Sequence, residues 1–118
     1  MYNNAMPPPR IMYVENKSAQ PAGQSGVRGP ARIARVAFSK TGKSLYYDGK
    51  TFRSLKCHGF KANYYDVESG EHYWISGPRR DGSDGLYGPS PTPIDDDARE
   101  EYWLVIRKQA GRKHQKTT

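Results

Sequence analysis

The sequence predicts a mainly β domain: a bent antiparallel sheet or small open barrel of about five strands, with one C-terminal helix. Three observations predict it. Apolar residues alternate with polar ones from Ala34 to Phe52 across two tight turns that agree in register. A second pair of short aromatic runs flanks Ser69-Gly70, and a 3.6-period apolar stripe lies near the C-terminus, opened by acids and closed by Arg, Lys and Gly.

Residues 1–9 end in Pro7-Pro8-Pro9, which donate no backbone hydrogen bonds, and read as an extended or disordered leader. Arg10 to Glu15 is rich in β-branched and aromatic residues and reads as a strand. The Gly-, Pro- and Gln-containing run 17–30 is a flexible insertion by composition. A single β-rich domain is therefore expected over 10–110.

Within it, Ala34, Val36 and Phe38 alternate with Arg35, Ala37 and Ser39, and Lys40-Thr41-Gly42-Lys43 supplies a four-residue turn. Asp48-Gly49 is a strong signal for a two-residue hairpin, because a type I′ turn needs positive φ at both central positions. The first turn pairs Phe38 with Leu45 and Val36 with Tyr47; the second pairs Leu45 with Phe52 and Tyr46 with Thr51. One face thus collects Val36, Phe38, Leu45, Tyr47 and Phe52, and the other Arg35, Ala37, Tyr46, Thr51 and Arg53. A slip of one residue would mix the two sets.

The second hairpin spans Phe60 to Val67 and Glu71 to Ser76, and its Ser69-Gly70 turn pairs Tyr65 with Trp74 and Tyr64 with Ile75. Both faces are aromatic, so either both are covered or one is left for a partner. The Gly-, Pro- and Asp-rich stretch from Gly77 to Pro93 reads as a long loop. A helix is expected from Ile94–Asp95 to about Gln109, capped by Asp95 or Asp96. Its stripe is Ala98, Tyr102, Val105 and Ile106, with Trp103 at the margin. The basic remainder, 111–118, is expected to be disordered.

The charge of +7 is unevenly distributed. Residues 10–63 hold eleven Lys and Arg against two acids, residues 64–106 three against ten, and the stretch from Arg107 five against none. Such a chain either presents a polyanion-binding face or neutralises itself across its own fold. The one cysteine, Cys57, allows neither an internal disulfide nor a thiolate zinc cluster. No run approaches a membrane span and no secretory signal opens the chain, which makes a cytoplasmic protein the expectation.

No catalytic set is evident. Cys57 and His58 are adjacent, so in extended chain they point to opposite sides, and no third residue orients them. Cys57, His58, Asp66 and His72 match no structural zinc spacing. Asp81-Gly82-Ser83-Asp84-Gly85 fails as a calcium loop, because Thr92 stands where the twelfth-position Glu belongs. Lys40-Thr41-Gly42-Lys43 joins two strands and lacks the glycine spacing of a phosphate loop. The expectation is a non-enzymatic module with no metal and no cofactor.

Two binding surfaces follow from the patterning. A protein partner, or a second copy, would meet the hairpin face of Tyr64, Tyr73 and Ile75. A nucleic acid would meet Arg35, Tyr46 and Arg53, with Lys40, Lys43, Lys50 and Lys61 around them and Arg79 and Arg80 beyond Trp74. There cations neutralise phosphates while an exposed tyrosine stacks on a base.

The runs Arg10 to Ser18, Gly29 to Ile33, Phe38 to Lys43, Lys61 to Asp66, Tyr73 to Gly77 and Arg99 to Trp103 resemble an uncharacterised family of short bacterial proteins, over most of residues 10–108. Members of that family have a tighter link before Gly29-Pro30. Some carry the name 1-deoxy-D-xylulose-5-phosphate synthase. A thiamine-diphosphate enzyme of that kind is several times longer and needs an Asn well beyond its Gly-Asp-Gly, whereas no Asn follows Asn63 here. The resemblance implies a bacterial, cytosolic setting and no activity.

Overall fold

The computed structural model describes residues 7–17, 31–55, 62–81 and 92–118. Six strands run antiparallel in chain order: β1 (Arg10–Asn16), β2 (Ala31–Phe38), β3 (Ser44–Tyr47), β4 (Lys50–Ser54), β5 (Tyr64–Asp66) and β6 (His72–Ser76). They close into a barrel because β1 pairs on both sides, Tyr13 opposite Ile33 of β2 and Ser76 of β6. Each described strand thus has a strand neighbour on both sides, which limits pairing with another chain. The leader 1–6, most of the insertion 17–30, and Cys57, His58 and Lys61 lie outside the described residues, as does most of the Asp81 to Gly85 loop.

The meander has the register its turns dictate. Phe38 pairs with Leu45, Leu45 with Phe52 and Tyr46 with Thr51. Asp48 and Gly49 both take positive φ, 53° and 74°, as a type I′ turn requires. Val36, Leu45 and Phe52 are buried inside the barrel together with Val14, Ala34, Tyr73 and Ile75, and Met12, Phe38, Tyr47 and Tyr64 pack against them. Phe52 meets Tyr73 edge-on at 4.7 Å, the favoured aromatic geometry.

The second hairpin differs from its expected register by two residues. Tyr64 pairs with Tyr73 and Tyr65 with His72, so the loop is the four residues Val67 to Gly70. The cause is Asp66, which is buried and accepts from the Glu68 amide at 3.0 Å and the Ser69 hydroxyl at 2.9 Å. This side-chain turn opens the loop early, and Gly70 closes it at φ 75°. Because the slip is even, every side chain keeps its face.

The C-terminal segment forms a second apolar layer on the outside of the barrel. The helix is shorter than expected: α1 (Arg99–Glu101) widens at once into a π-helical turn over Tyr102–Ile106. It starts late because Pro93 and Ile94 are engaged in extended pairing. The Ile33 amide donates to Pro93 O, the Asp95 amide to Ile33 O and the Ile94 amide to Lys116 O, each at 2.8 Å. In the π turn the Arg107 amide reaches back to Tyr102 O at 3.0 Å. That wider turn puts Trp103 inward and leaves Val105 61% exposed, exchanging these two, while Ala98 and Tyr102 of the expected stripe are buried. Ala98, Tyr102 and Trp103 close over Ile11, Tyr13 and Ile33, with Trp74 and Ile106 at the margin.

Residues 111–118, the basic tail, lie against the C-terminal layer. A 3-10 turn (Ala110–Arg112) leads into residues that pair with the start of the layer: the Thr118 amide donates to Thr92 O at 3.0 Å, and Trp103 Nε1 donates to Gln115 O at 2.9 Å. Arg107 and Arg112 both lie over the Trp103 ring, 5.0 and 5.8 Å from its centroid. These contacts hold a polar tail that has little apolar surface of its own to bury.

Candidate nucleic-acid interface

An up-and-down barrel has two ends, and strand direction assigns every loop to one of them. The start of β1, the β2–β3 turn and the exit from β6 lie at one end, called here the leader end; the β3–β4 and β5–β6 turns lie at the other. The exposed cations of the meander are unevenly placed along this axis. The leader end carries Arg10, Lys40, Lys43 and, one residue inside the rim, Arg53, with Arg79 and Arg80 in the segment that leaves β6. The opposite end carries Asp48, Asp66, Glu68 and Glu71, with Lys50 held 3.7 Å from Asp48. Arg32 and Arg35 pair with Asp95 and Glu101 of the acidic stretch, and Asp81 follows Arg79 and Arg80 at the leader end.

The predicted cations divide into two groups. Lys40, Lys43, Arg53, Arg79 and Arg80 are exposed at or near the leader end. Arg35 is not part of an open face, because its guanidinium donates to Glu101 at 3.0 Å and to Asp97 O at 2.9 Å, clasping the C-terminal layer to β2. Lys50 sits at the opposite end beside Asp48. Tyr46 is 38% exposed and points outward opposite Thr51. Beside it, Arg53, Tyr65 and His72 form one cross-strand row on the outer wall. The layer that covers Ile11, Tyr13 and Ile33 leaves this flank of the barrel in contact with solvent.

The hairpin face proposed for a protein partner is turned inward. Tyr73 and Ile75 are buried and Tyr64 packs against the same interior cluster, so the barrel itself covers the side that sequence left undecided.

Two features escaped sequence reasoning. Arg10 lies over the Phe38 ring, 5.8 Å from its centroid, beside a cleft lined by Pro7, Pro8, Pro9, Lys40, Thr41 and Gly42. The signal in sequence was the cation directly after Pro7-Pro8-Pro9, whose fixed φ favours an extended approach to the strand. The second is the contact of the basic segment Arg107, Lys108, Arg112, Lys113 and Lys116 with the Trp103 indole.

At the acidic end, ionisation is biased by burial. The Tyr47 hydroxyl donates to Asp95 Oδ2 at 2.5 Å, and Arg32 bridges to the other oxygen of that carboxylate. Burial first, and then the hydrogen bond and charge of Asp95, push the Tyr47 pKa well above its ordinary value. Arg32 is held even more firmly protonated by Asp95. Tyr73 is also pushed up, by burial and by Glu71 and Asp66.

Among the described residues, no group of three or more His, Cys, Asp or Glu is arranged to hold a metal ion. No described helix is long and apolar enough to cross a membrane. Protein-family models, curated proteins and solved structures give no match to this chain. The geometry alone carries the functional reading.

Proposed function

We propose that this chain is a non-enzymatic β-barrel module that binds single-stranded nucleic acid through its leader end and the adjoining flank of β3, β4 and β5. The observation that carries this reading is the gathering of Arg10, Lys40, Lys43 and Arg53 toward one end of the barrel. A strand drawn to that end releases counterions from each phosphate that a cation replaces. Tyr46 and the Arg53–Tyr65 pair then offer planar surfaces to unstacked bases. A duplex hides those base faces, which is why a single strand is the favoured ligand.

The test is fluorescence anisotropy of labelled single-stranded and duplex oligonucleotides titrated with the full chain. Single strands are expected to bind more tightly, with affinity falling steeply between about 50 and 200 mM salt. Failure of every oligonucleotide to bind at low salt would overturn the proposal.

A protein partner is the second reading, and its support is now a different surface. Leu104 and Val105 stand side by side and exposed on the outside of the π turn. Self-association through them predicts a mass that rises with concentration in light scattering; a constant monomer mass argues against it.

A further inference from the structure

Deepening the single-strand reading and resting on it, we propose that the cleft between the proline leader and the β2–β3 turn is a docking site for one unstacked base, whose phosphate is held at the cationic rim. The cleft has a volume of about 420 Å³ and is lined by Pro7, Pro8, Pro9, Arg10, Phe38, Lys40, Thr41 and Gly42. That volume lies in the range of small-molecule sites.

The chemistry of its walls is divided in the way a nucleotide is divided. Three consecutive proline rings form a stiff apolar wall with no N–H to satisfy, and Phe38 adds an aromatic side chain to the lining. Phe38 is only half buried: it packs on the interior cluster, Arg10 lies over its ring 5.8 Å from the centroid, and it lines the cleft, so an entering base stacks beside or in place of the guanidinium. Arg10 and Lys40 stand at the rim, so a flat apolar ring and an anion are both accommodated within the span of one nucleotide.

The polar groups of the turn favour general rather than sequence-specific docking. The Gly42 amide is committed to Ser39 O at 2.9 Å, and the Ser44 amide to the Ser39 hydroxyl at 3.0 Å. With turn amides engaged in holding the loop, stacking and charge supply the recognition, and any base is accepted.

Two measurements test the site. In the first, the full chain with Pro7→Gly, Pro8→Gly and Pro9→Gly is titrated against a single strand and against an abasic strand of equal length. The prolines are exposed, so the barrel folds without them. The variant is expected to bind the base-containing strand about tenfold more weakly than the parent, and the two proteins to bind the abasic strand equally. In the second, amide resonances of Phe38, Thr41 and Gly42 in the unaltered chain are followed by NMR, and they are expected to shift on adding the base-containing strand but not the abasic one. Equal binding of the base-containing strand by parent and variant, or unmoved cleft amides, overturns the cleft while leaving the broader reading in place. No binding of either strand by the parent overturns both.

Discussion

Tyr47 and Asp95, 48 residues apart in sequence, meet through a 2.5 Å hydrogen bond that ties the end of β3 to the C-terminal layer. The same carboxylate holds Arg32 of β2, so one side chain joins two strands to the segment that covers them. Tyr47→Phe removes a donor from a charged acceptor and is expected to cost about 1–2 kcal/mol in urea unfolding at neutral pH.

This contact also has a pH signature. The Tyr47 pKa is raised in the folded state, so the native chain keeps a proton that the unfolded chain gives up above its ordinary pKa of 10. Its contribution is complete below pH 10 and declines as the pH climbs beyond that value. Tyr73 is shifted in the same direction and adds to the decline. Unfolding free energies measured from pH 8 upward should fall above pH 10, less steeply in Tyr47→Phe.

Glu15 and Lys17 form an ion pair at 2.7 Å with both side chains out of water, and the Tyr13 hydroxyl donates to the other carboxylate oxygen at 2.6 Å. Lys17→Met leaves a carboxylate in a dry site without its cation. The expected loss is about 3 kcal/mol, read by thermal or chemical unfolding. Recovery of that stability in Lys17→Met combined with Glu15→Gln would identify the stranded charge as the cause.

Gly49 lies at φ 74° with open space around the position of a Cβ, so Gly49→Ala isolates backbone strain from any clash. It is expected to cost about 1–2 kcal/mol. Gly77 has the same open surroundings without positive φ, and Gly77→Ala should be close to neutral in the same denaturation assay.

Removal of residues 113–118 takes away the Trp103–Gln115, Ile94–Lys116 and Thr92–Thr118 hydrogen bonds. In a Trp74→Phe background, where Trp103 is the only indole, the truncated chain is expected to show red-shifted fluorescence and a lower unfolding midpoint. An unchanged spectrum would mean that the tail does not seal the indole.

The legible parts of this fold are those whose cause is local. Positive φ at Asp48-Gly49 and the two-residue period of β2 to β4 were enough to assign Val36, Leu45 and Phe52 to the inside. The Ser69-Gly70 dipeptide predicts a register two residues from the observed one, because the Asp66 side chain opens the loop. The helix was overextended because its first residues satisfy their amides on Ile33 and Lys116, partners that lie far away along the chain. Of the candidate interface, the turn lysines, Tyr46 and Arg53 were readable as outward residues. Arg35 was misassigned, since nothing near it in sequence announces Glu101.

By itself, the sequence determined the strands of the meander, which side of them is apolar, and the basic and acidic halves of the chain, since alternation and turn geometry act over a few residues. Only the tertiary structure decided that β6 returns to β1, that the aromatic hairpin face looks inward, and that the basic tail is pinned on Trp103. It also decided that Arg10, Lys40, Lys43 and Arg53 gather toward one end. Each of these depends on groups brought together by barrel closure, and the energy of such contacts depends on burial that no local pattern records.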